Sequence, residues 1–181
     1  MMKKFTLAAS ALIIGLSSAY AADGTITING QVTDQTCTIT TPAGKDFTVT
    51  LPTVSKSTLN ASGKTAGRTP FEIQLSNCSV GSVATYFEPG IAVDLGTGRL
   101  KNQSTSNPAA TGVQVQLLGD NAEFLPIKGI SPGSAQSNSQ WKTITTAGEG
   151  ATLNYFAEYY ATGAATAGEV KTLVEYTLMY K

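Results

Sequence analysis

Cys37 and Cys78 are the side chains of this sequence best suited to covalent chemistry, and the chain offers them no histidine. A catalytic thiol needs a base beside it, and a structural zinc site needs more nitrogen or sulfur ligands than one pair supplies. In an oxidising compartment an even pair of cysteines forms a disulfide. The search for acid–base chemistry finds Asp94, Glu123 and Glu158 scattered through strand and loop contexts without a matching partner, so each reads as a solvated carboxylate. "GTGRL" around Gly96 lacks the third glycine and the following helix of a dinucleotide loop and reads as a turn. Trp141, Tyr155, Tyr159 and Tyr160 offer aromatic surface for stacking a sugar, but in an all-β domain such residues are ordinarily core. The sequons at Asn60, Asn77 and Asn102 matter only on a eukaryotic secretory route and read as polar loops or strand ends. No catalytic, cofactor or metal site emerges from the residue types, and no enzyme is expected.

The compartment is set by the start of the chain. "MMKKFTLAASALIIGLSSAYA" joins Lys3 and Lys4 to an apolar run and closes on Ala19-Tyr20-Ala21, a secretory cleavage pattern. The run is about 15 residues, short of the roughly 20 a membrane span needs. Residues 1–21 are therefore expected to be a signal peptide. The mature chain would then have about 160 residues, one domain by size. The whole chain carries 12 basic and 12 acidic residues, and losing Lys3 and Lys4 tips the remainder slightly acidic, which speaks against a nucleic-acid partner. Closing the loop between Cys37 and Cys78 contributes about 4 kcal/mol in the chain-entropy account.

The elements that must position these residues are strands. "KDFTVTL" alternates through Phe47, Val49 and Leu51, "PFEIQL" through Phe71, Ile73 and Leu75, and "GVQVQLLG" through Val113, Val115 and Leu117; "ATLNYFAEYYA" is similar. Between them lie "SKSTLNASGKTAGRTP", "GTGRLKNQSTSNPAATG" and "KGISPGSAQSNSQ", rich in Ser, Asn, Gly and Pro and read as loops. Only residues 54–59 hint at a helical turn. Short strands at this spacing predict an antiparallel, immunoglobulin-like β-sandwich.

Both ends of the domain are unusual. Val174, Tyr176, Leu178 and Tyr180 form one apolar face of a last strand, after which only Lys181 remains, so the strand's open edge needs a cover. At the other end, "ADGTITINGQVTDQTC" places Gly24, Ile26, Ile28, Gly30 and Val32 on one face of an extended segment. That narrow comb fits a first strand paired in its own sheet. Alternation alone favours that reading; what turns it toward a strand lent to another chain is that the surplus at one end matches the deficit at the other.

These segments together resemble the chaperone-usher pilins and are similar to type 1 fimbrial major subunits. The resemblance spans residues 22–181. It rests on "GTITINGQV" leading into Cys37, on "FEIQLSNC" with the second cysteine, on "GVQVQLLGDN", on "ATLNYFAEYYATG", and on an ending with Gly168 fourteenth from the end and Tyr180 penultimate. It implies an all-β fold, an incomplete immunoglobulin-like β-sandwich lacking its last strand and completed by a donor strand from another subunit. By the same resemblance, residues 22–34 are the donor extension, carrying Gly24, Ile26, Ile28, Gly30 and Val32, and residues 35–181 are the pilin domain. Gly168, Val174, Tyr176, Leu178 and Tyr180 lie along the acceptor edge that a periplasmic chaperone covers first. The implied partners are that chaperone, an outer-membrane usher and further pilin subunits, and the implied destination is the cell-surface fimbrium, reached through the periplasm. A minor or adaptor subunit is the near alternative, and an exported, self-contained immunoglobulin-like binding module the more distant one. A tip adhesin would need a second domain for which the length leaves no room.

Overall fold

The computed structural model describes residues 23–130 and 134–181. The signal peptide expected over residues 1–21 lies outside the described residues, as does Ala22 at the start of the extension. The chain divides into two compact units, Met1–Gln31 and Val32–Lys181. In the first, residues 23–31 adopt neither helix nor strand and are exposed.

The second unit contains ten strands and one 3₁₀ turn among the described residues: β1 (Thr38–Ile39), the turn Lys56–Leu59, β2 (Thr65–Ser76), β3 (Gly81–Phe87), β4 (Val93–Asp94), β5 (Arg99–Lys101), β6 (Val113–Leu118), β7 (Phe124–Leu125), β8 (Lys142–Ile144), β9 (Ala151–Ala161) and β10 (Tyr176–Tyr180). They form two antiparallel sheets. The larger runs β1-β2-β9-β6-β5-β4 with β7 added beside β6, and the smaller runs β10-β3-β8.

Period-two patterning explains the layers. On β9, Leu153, Tyr155 and Ala157 point inward and are buried, next to Ile73 and Leu75 of β2 and Val115 and Leu117 of β6. Val83 and Phe87 of the smaller sheet close the core from the opposite side. The ring of Tyr155 meets Phe87 edge-on at 5.1 Å and stacks on Phe71 at 5.6 Å, an arrangement that adds a directional term to apolar burial. Cys37 and Cys78 are disulfide-bonded and tie the segment before β1 to the end of β2, with Cys78 fully inside the core. The 3₁₀ turn at Lys56–Leu59 answers to the helical hint in the sequence; Ser55 caps it by accepting from the Ser57 amide.

Several local readings need correction. β2 begins at Thr65, inside a stretch whose Ser, Gly and Pro content reads as loop. The strand survives these residues through a bulge between Ala66 and Thr69, where Gly67 takes a left-handed φ of +71° and its α-carbon lies so close to the Tyr159 ring that a Cβ would come within 3.1 Å. β3 has no alternating signature because Val83, Ala84 and Thr85 are buried in succession, as happens in a strand covered on both faces. Glu158 is not a solvated carboxylate: it is 3% exposed. On the outer face of the larger sheet it accepts from Arg68 Nε at 2.9 Å and Gln116 Nε2 at 2.7 Å, and Gln116 accepts from Arg99, whose guanidinium stacks on Tyr160 and Phe124. A buried carboxylate requires such partners, and nothing in the spacing of Arg68, Arg99 and Glu158 announces that three strands bring them together. Residues 45–51, expected as a strand, open on a bend at Lys45 and Asp46 and alternate in burial at Phe47, Val49 and Leu51, but they join no ladder among the described residues.

Candidate functional site

The unladdered segment forms one wall of an open groove. Residues 45–51 face residues 170–176 across a cavity of about 940 Å³. Its floor is the part of the core that faces the groove: Phe71, Ile73, Phe87, Leu100, Val115 and Leu117. The floor is apolar because the inward rows of β2, β5 and β6 reach it, whereas the lips carry Lys45, Asp46, Lys171 and Glu175. One tie spans the end of the groove, from the Tyr176 hydroxyl to the Lys45 carbonyl at 2.9 Å. Burial raises the Tyr176 phenol above its ordinary pKa, and Asp46 pushes it the same way. Past the other end a smaller cavity of about 370 Å³ shares Tyr159 and Val170 with the first and is lined by Val54, Leu59, Ala110 and Gly168.

The walls differ from the flank of a finished sheet. Among the described residues, no hydrogen bond between backbone groups involves residues 45–54. On the opposite wall the main-chain groups alternate. The Lys181 amide and carbonyl pair with Ser82, the Glu175 carbonyl accepts from the Glu88 amide, and the Lys171 carbonyl accepts from Gln103. In an extended chain successive peptide groups point to opposite edges. The main-chain groups of Val170, Thr172, Val174, Tyr176, Leu178 and Tyr180 therefore point to the other edge, where β10 has no sheet neighbour among the described residues. A groove with an apolar floor and unpaired peptide groups on both walls has the chemistry that one further strand would satisfy.

Residues 51–181 match the family model described as "FimA: Type-1 fimbrial protein, A". The chain belongs to the type-1 fimbrial protein family. It is a structural subunit of a fimbria, a pilin. It is 64% identical over 163 residues to the major fimbrial subunit SMF-1 of Stenotrophomonas maltophilia (strain K279a), covering 90% of this chain and 95% of that protein. It is 44% identical to the F17 fimbrial protein of Escherichia coli over 171 residues, 91% of each chain. Among solved structures, a chain of a chaperone-usher pilus superposes with a TM-score of 0.60 at 22% identity, covering 88% of this pilin and 96% of that chain, and this supports the fold.

The groove collects part of the expected acceptor set. Val174 and Tyr176 line it, and Gly168 lines the smaller cavity. Leu178 and Tyr180 pack against the core along β10, beyond the cavity itself, and the Tyr180 hydroxyl accepts from the Cys37 amide at 3.0 Å. A Cβ at Gly168 would meet the Ala109 and Ala110 backbone at 2.4–2.9 Å, so any side chain there pushes the wall outward. Of the expected donor residues, Ile26 and Ile28 are each 89% exposed and Val32 is 99% exposed. Nothing lies within 4 Å of a Cβ placed at Gly24 or Gly30. Sequence reading missed Val170 and Thr172 on the wall and the role of residues 45–51 as the wall opposite; their alternation was visible, but alternation alone does not say which strands lack a neighbour.

The pilin's charge chemistry predicts its pH response. Hydrogen bonds hold three carboxyls below their usual range: Asp94 chiefly through the Gln114 side chain, Glu149 through the Thr146 amide, and Glu169 through the Ser104 hydroxyl. A carboxyl whose folded pKa is depressed stabilises the fold above its unfolded pKa, and that contribution is lost as pH falls through the folded value. With no histidine in the chain, thermal unfolding is expected to be flat from about pH 5.5 to 7.5 and to fall off below about pH 4. A calorimetric pH series checks this; a step near pH 6.5 would contradict it.

Proposed function

We propose that this pilin polymerises by donor-strand exchange and forms the repeating subunit of the rod. After removal of residues 1–21, residues 22–34 serve as the donor extension and residues 35–181 as the acceptor domain. Gly24, Ile26, Ile28, Gly30 and Val32 of one subunit enter the groove between residues 45–51 and 170–176 of the next. Before that, a periplasmic chaperone occupies the edge along Val174, Tyr176, Leu178 and Tyr180, and an outer-membrane usher is where one strand replaces the other. The role is structural, not catalytic. Identity to a major fimbrial subunit supports the repeating role.

The observation that carries this reading is the strand-shaped groove in a chain that also exposes an apolar comb. Burying Ile26, Ile28 and Val32 contributes roughly 1.5–3 kcal/mol each. Each main-chain hydrogen bond formed with the walls adds roughly 0.5–1.5 kcal/mol. No nucleotide is required, because the unpaired groove supplies the driving force. Donor and acceptor are different surfaces, so the contact is heterologous and extends into a filament.

The reading is tested with a chain lacking residues 22–34 after signal removal, produced alongside the intact one. It keeps a groove but has nothing to offer the next subunit, so it terminates growth. At about a tenth of the pool, mean rod length is expected to fall to about ten subunits. Rods of unchanged length that contain the shortened chain internally would refute the mechanism.

A further inference from the structure

The wall formed by residues 170–176 is held in two ways. Its C-terminal continuation, β10, is zipped to β3 from Tyr176 onward. At its beginning there is no such ladder, only an isolated bridge between Ala109 and Glu169. Two main-chain bonds make it, from the Glu169 amide to the Pro108 carbonyl at 3.1 Å and from the Ala110 amide to the Glu169 carbonyl at 3.0 Å, and one side chain extends the hold to Lys171. Asn102 Nδ2 donates to the Ala110 carbonyl at 2.9 Å and to the Glu169 carbonyl at 2.8 Å. Its Oδ1 accepts from the Ser104 amide at 3.0 Å and from the Lys171 amide at 2.9 Å. Both donors and both acceptor sites of the amide are used. The Gln103 amide adds a bond to the Lys171 carbonyl at 2.7 Å, and the Glu169 carboxylate accepts from the hydroxyls of Ser104 and Ser106.

Through these bonds the peptide groups of Glu169 and Lys171 are fixed toward the loop after β5. Those of Val170 and Thr172 must then point to the groove. Thr172 Oγ1 is itself buried without a partner among the described residues, on the same inward row as Val170 and Val174. Gly168, Glu169 and Val170 also line the smaller cavity, and Ala110, which Asn102 holds through its carbonyl, lies on the same lining.

We propose that Asn102 is a positioning residue for strand exchange, setting the register of Glu169 and Lys171 so that Val170 and Thr172 present their peptide groups to the incoming strand and the smaller cavity stays open. This rests on the donor-strand reading. Asparagine is suited to the task because it supplies two donors and two acceptor sites in one plane. Asn102→Asp sets carboxylate oxygens against two carbonyls and forfeits both donors. Asn102→Ser retains one short hydroxyl.

The test uses the full mature chain, refolded at high dilution with its disulfide intact, and a fluorescent peptide of sequence ADGTITINGQVTD. Peptide release is followed by anisotropy for the parent chain, Asn102→Asp, Asn102→Ser and, as a control on an exposed sequon, Asn60→Ala. Two shortened peptides, each missing a few residues from one end, are run beside the full one. Release from Asn102→Asp is expected to be about ten-fold faster or more, from Asn102→Ser intermediate, and from Asn60→Ala unchanged. The shortened peptide that no longer reaches Val170, Thr172 and the smaller cavity is expected to leave the parent and both Asn102 variants at the same rate. If Asn102→Ser and Asn102→Asp release the full peptide as slowly as the parent does, the positioning role is overturned. It is equally overturned if all three peptides leave faster by one common factor, since that marks general destabilisation. Failure of the parent chain to capture the peptide would instead overturn the donor-strand reading, and this role with it.

Discussion

Ile26→Asp combined with Ile28→Asp is expected to abolish rods while leaving the fold of Val32–Lys181 and its disulfide unchanged. Both isoleucines are almost fully exposed, so the free subunit loses no packing when they are replaced. In the groove the change is severe. Each substitution forfeits roughly 1.5–3 kcal/mol of apolar burial and sets a carboxylate against a floor made of Phe71, Ile73, Phe87 and Leu117, which offers no hydrogen-bond partner for it. The combined loss is about 5 kcal/mol or more, enough to lower the strength of the subunit contact by several thousand-fold. Negative-stain microscopy of surface material, with an immunoblot for total exported chain, separates the outcomes. Rods absent with the chain still exported is the expected result, and Ile26→Val with Ile28→Val should retain rods. Normal rods from the double aspartate variant would mean that this segment is not the donor.

How far the sequence foretold this structure varies from one element to another. β6 and β9 were plain in "GVQVQLLG" and "ATLNYFAEYYA" because each has one face in the core and polar residues on the other. β10 was plain for the same reason. β3 was hidden because consecutive residues Val83, Ala84 and Thr85 are all buried, which erases the alternation by which a strand is recognised. β4, β7 and β8 span two or three residues, too few for any pattern. The groove is a property of pairing, not of residue type. Phe47, Val49 and Leu51 look like any half-buried strand, and only the ladder arrangement reveals that no described strand pairs with them or with the groove side of Val170, Thr172 and Val174. Asn102 was passed over as a polar loop residue, since two of its four partners, Glu169 and Lys171, come from a segment far along the chain. The comb at Gly24 to Val32 was legible as a pattern, whereas its destination depended on a second surface that no local reading contains.

The largest stabilisation is expected when the chain is made to fill its own groove. Residues 22–34 are removed from the mature chain, and a short flexible linker followed by "ADGTITINGQVTD" is added after Lys181. The linker lets the added strand turn back along the free edge of β10, beside Tyr176, Leu178 and Tyr180. Tethering holds the strand at an effective concentration in the millimolar range, so the groove is occupied in every molecule. The exposed side chains of Ile26, Ile28 and Val32 leave water for the groove floor, and the unpaired peptide groups of residues 45–51 and 170–176 gain partners. With Ile26, Ile28 and Val32 buried, the gain is about 5 kcal/mol, which corresponds to a rise in Tm of about 10–20 °C for a domain of this size. The same molecule should remain a monomer, since its acceptor is filled and its free donor arm is gone.

Thermal unfolding of this rearranged chain beside the unmodified mature chain, both dilute and both with the Cys37–Cys78 disulfide intact, tests most directly whether the sandwich lacks a strand that its own extension supplies. An incomplete sandwich predicts a Tm higher by about 10 °C or more for the rearranged chain, with the appended strand resistant to limited proteolysis. Equal Tm values, with the appended strand cleaved away while the rest stays folded, would show a sandwich already complete and would contradict the missing strand.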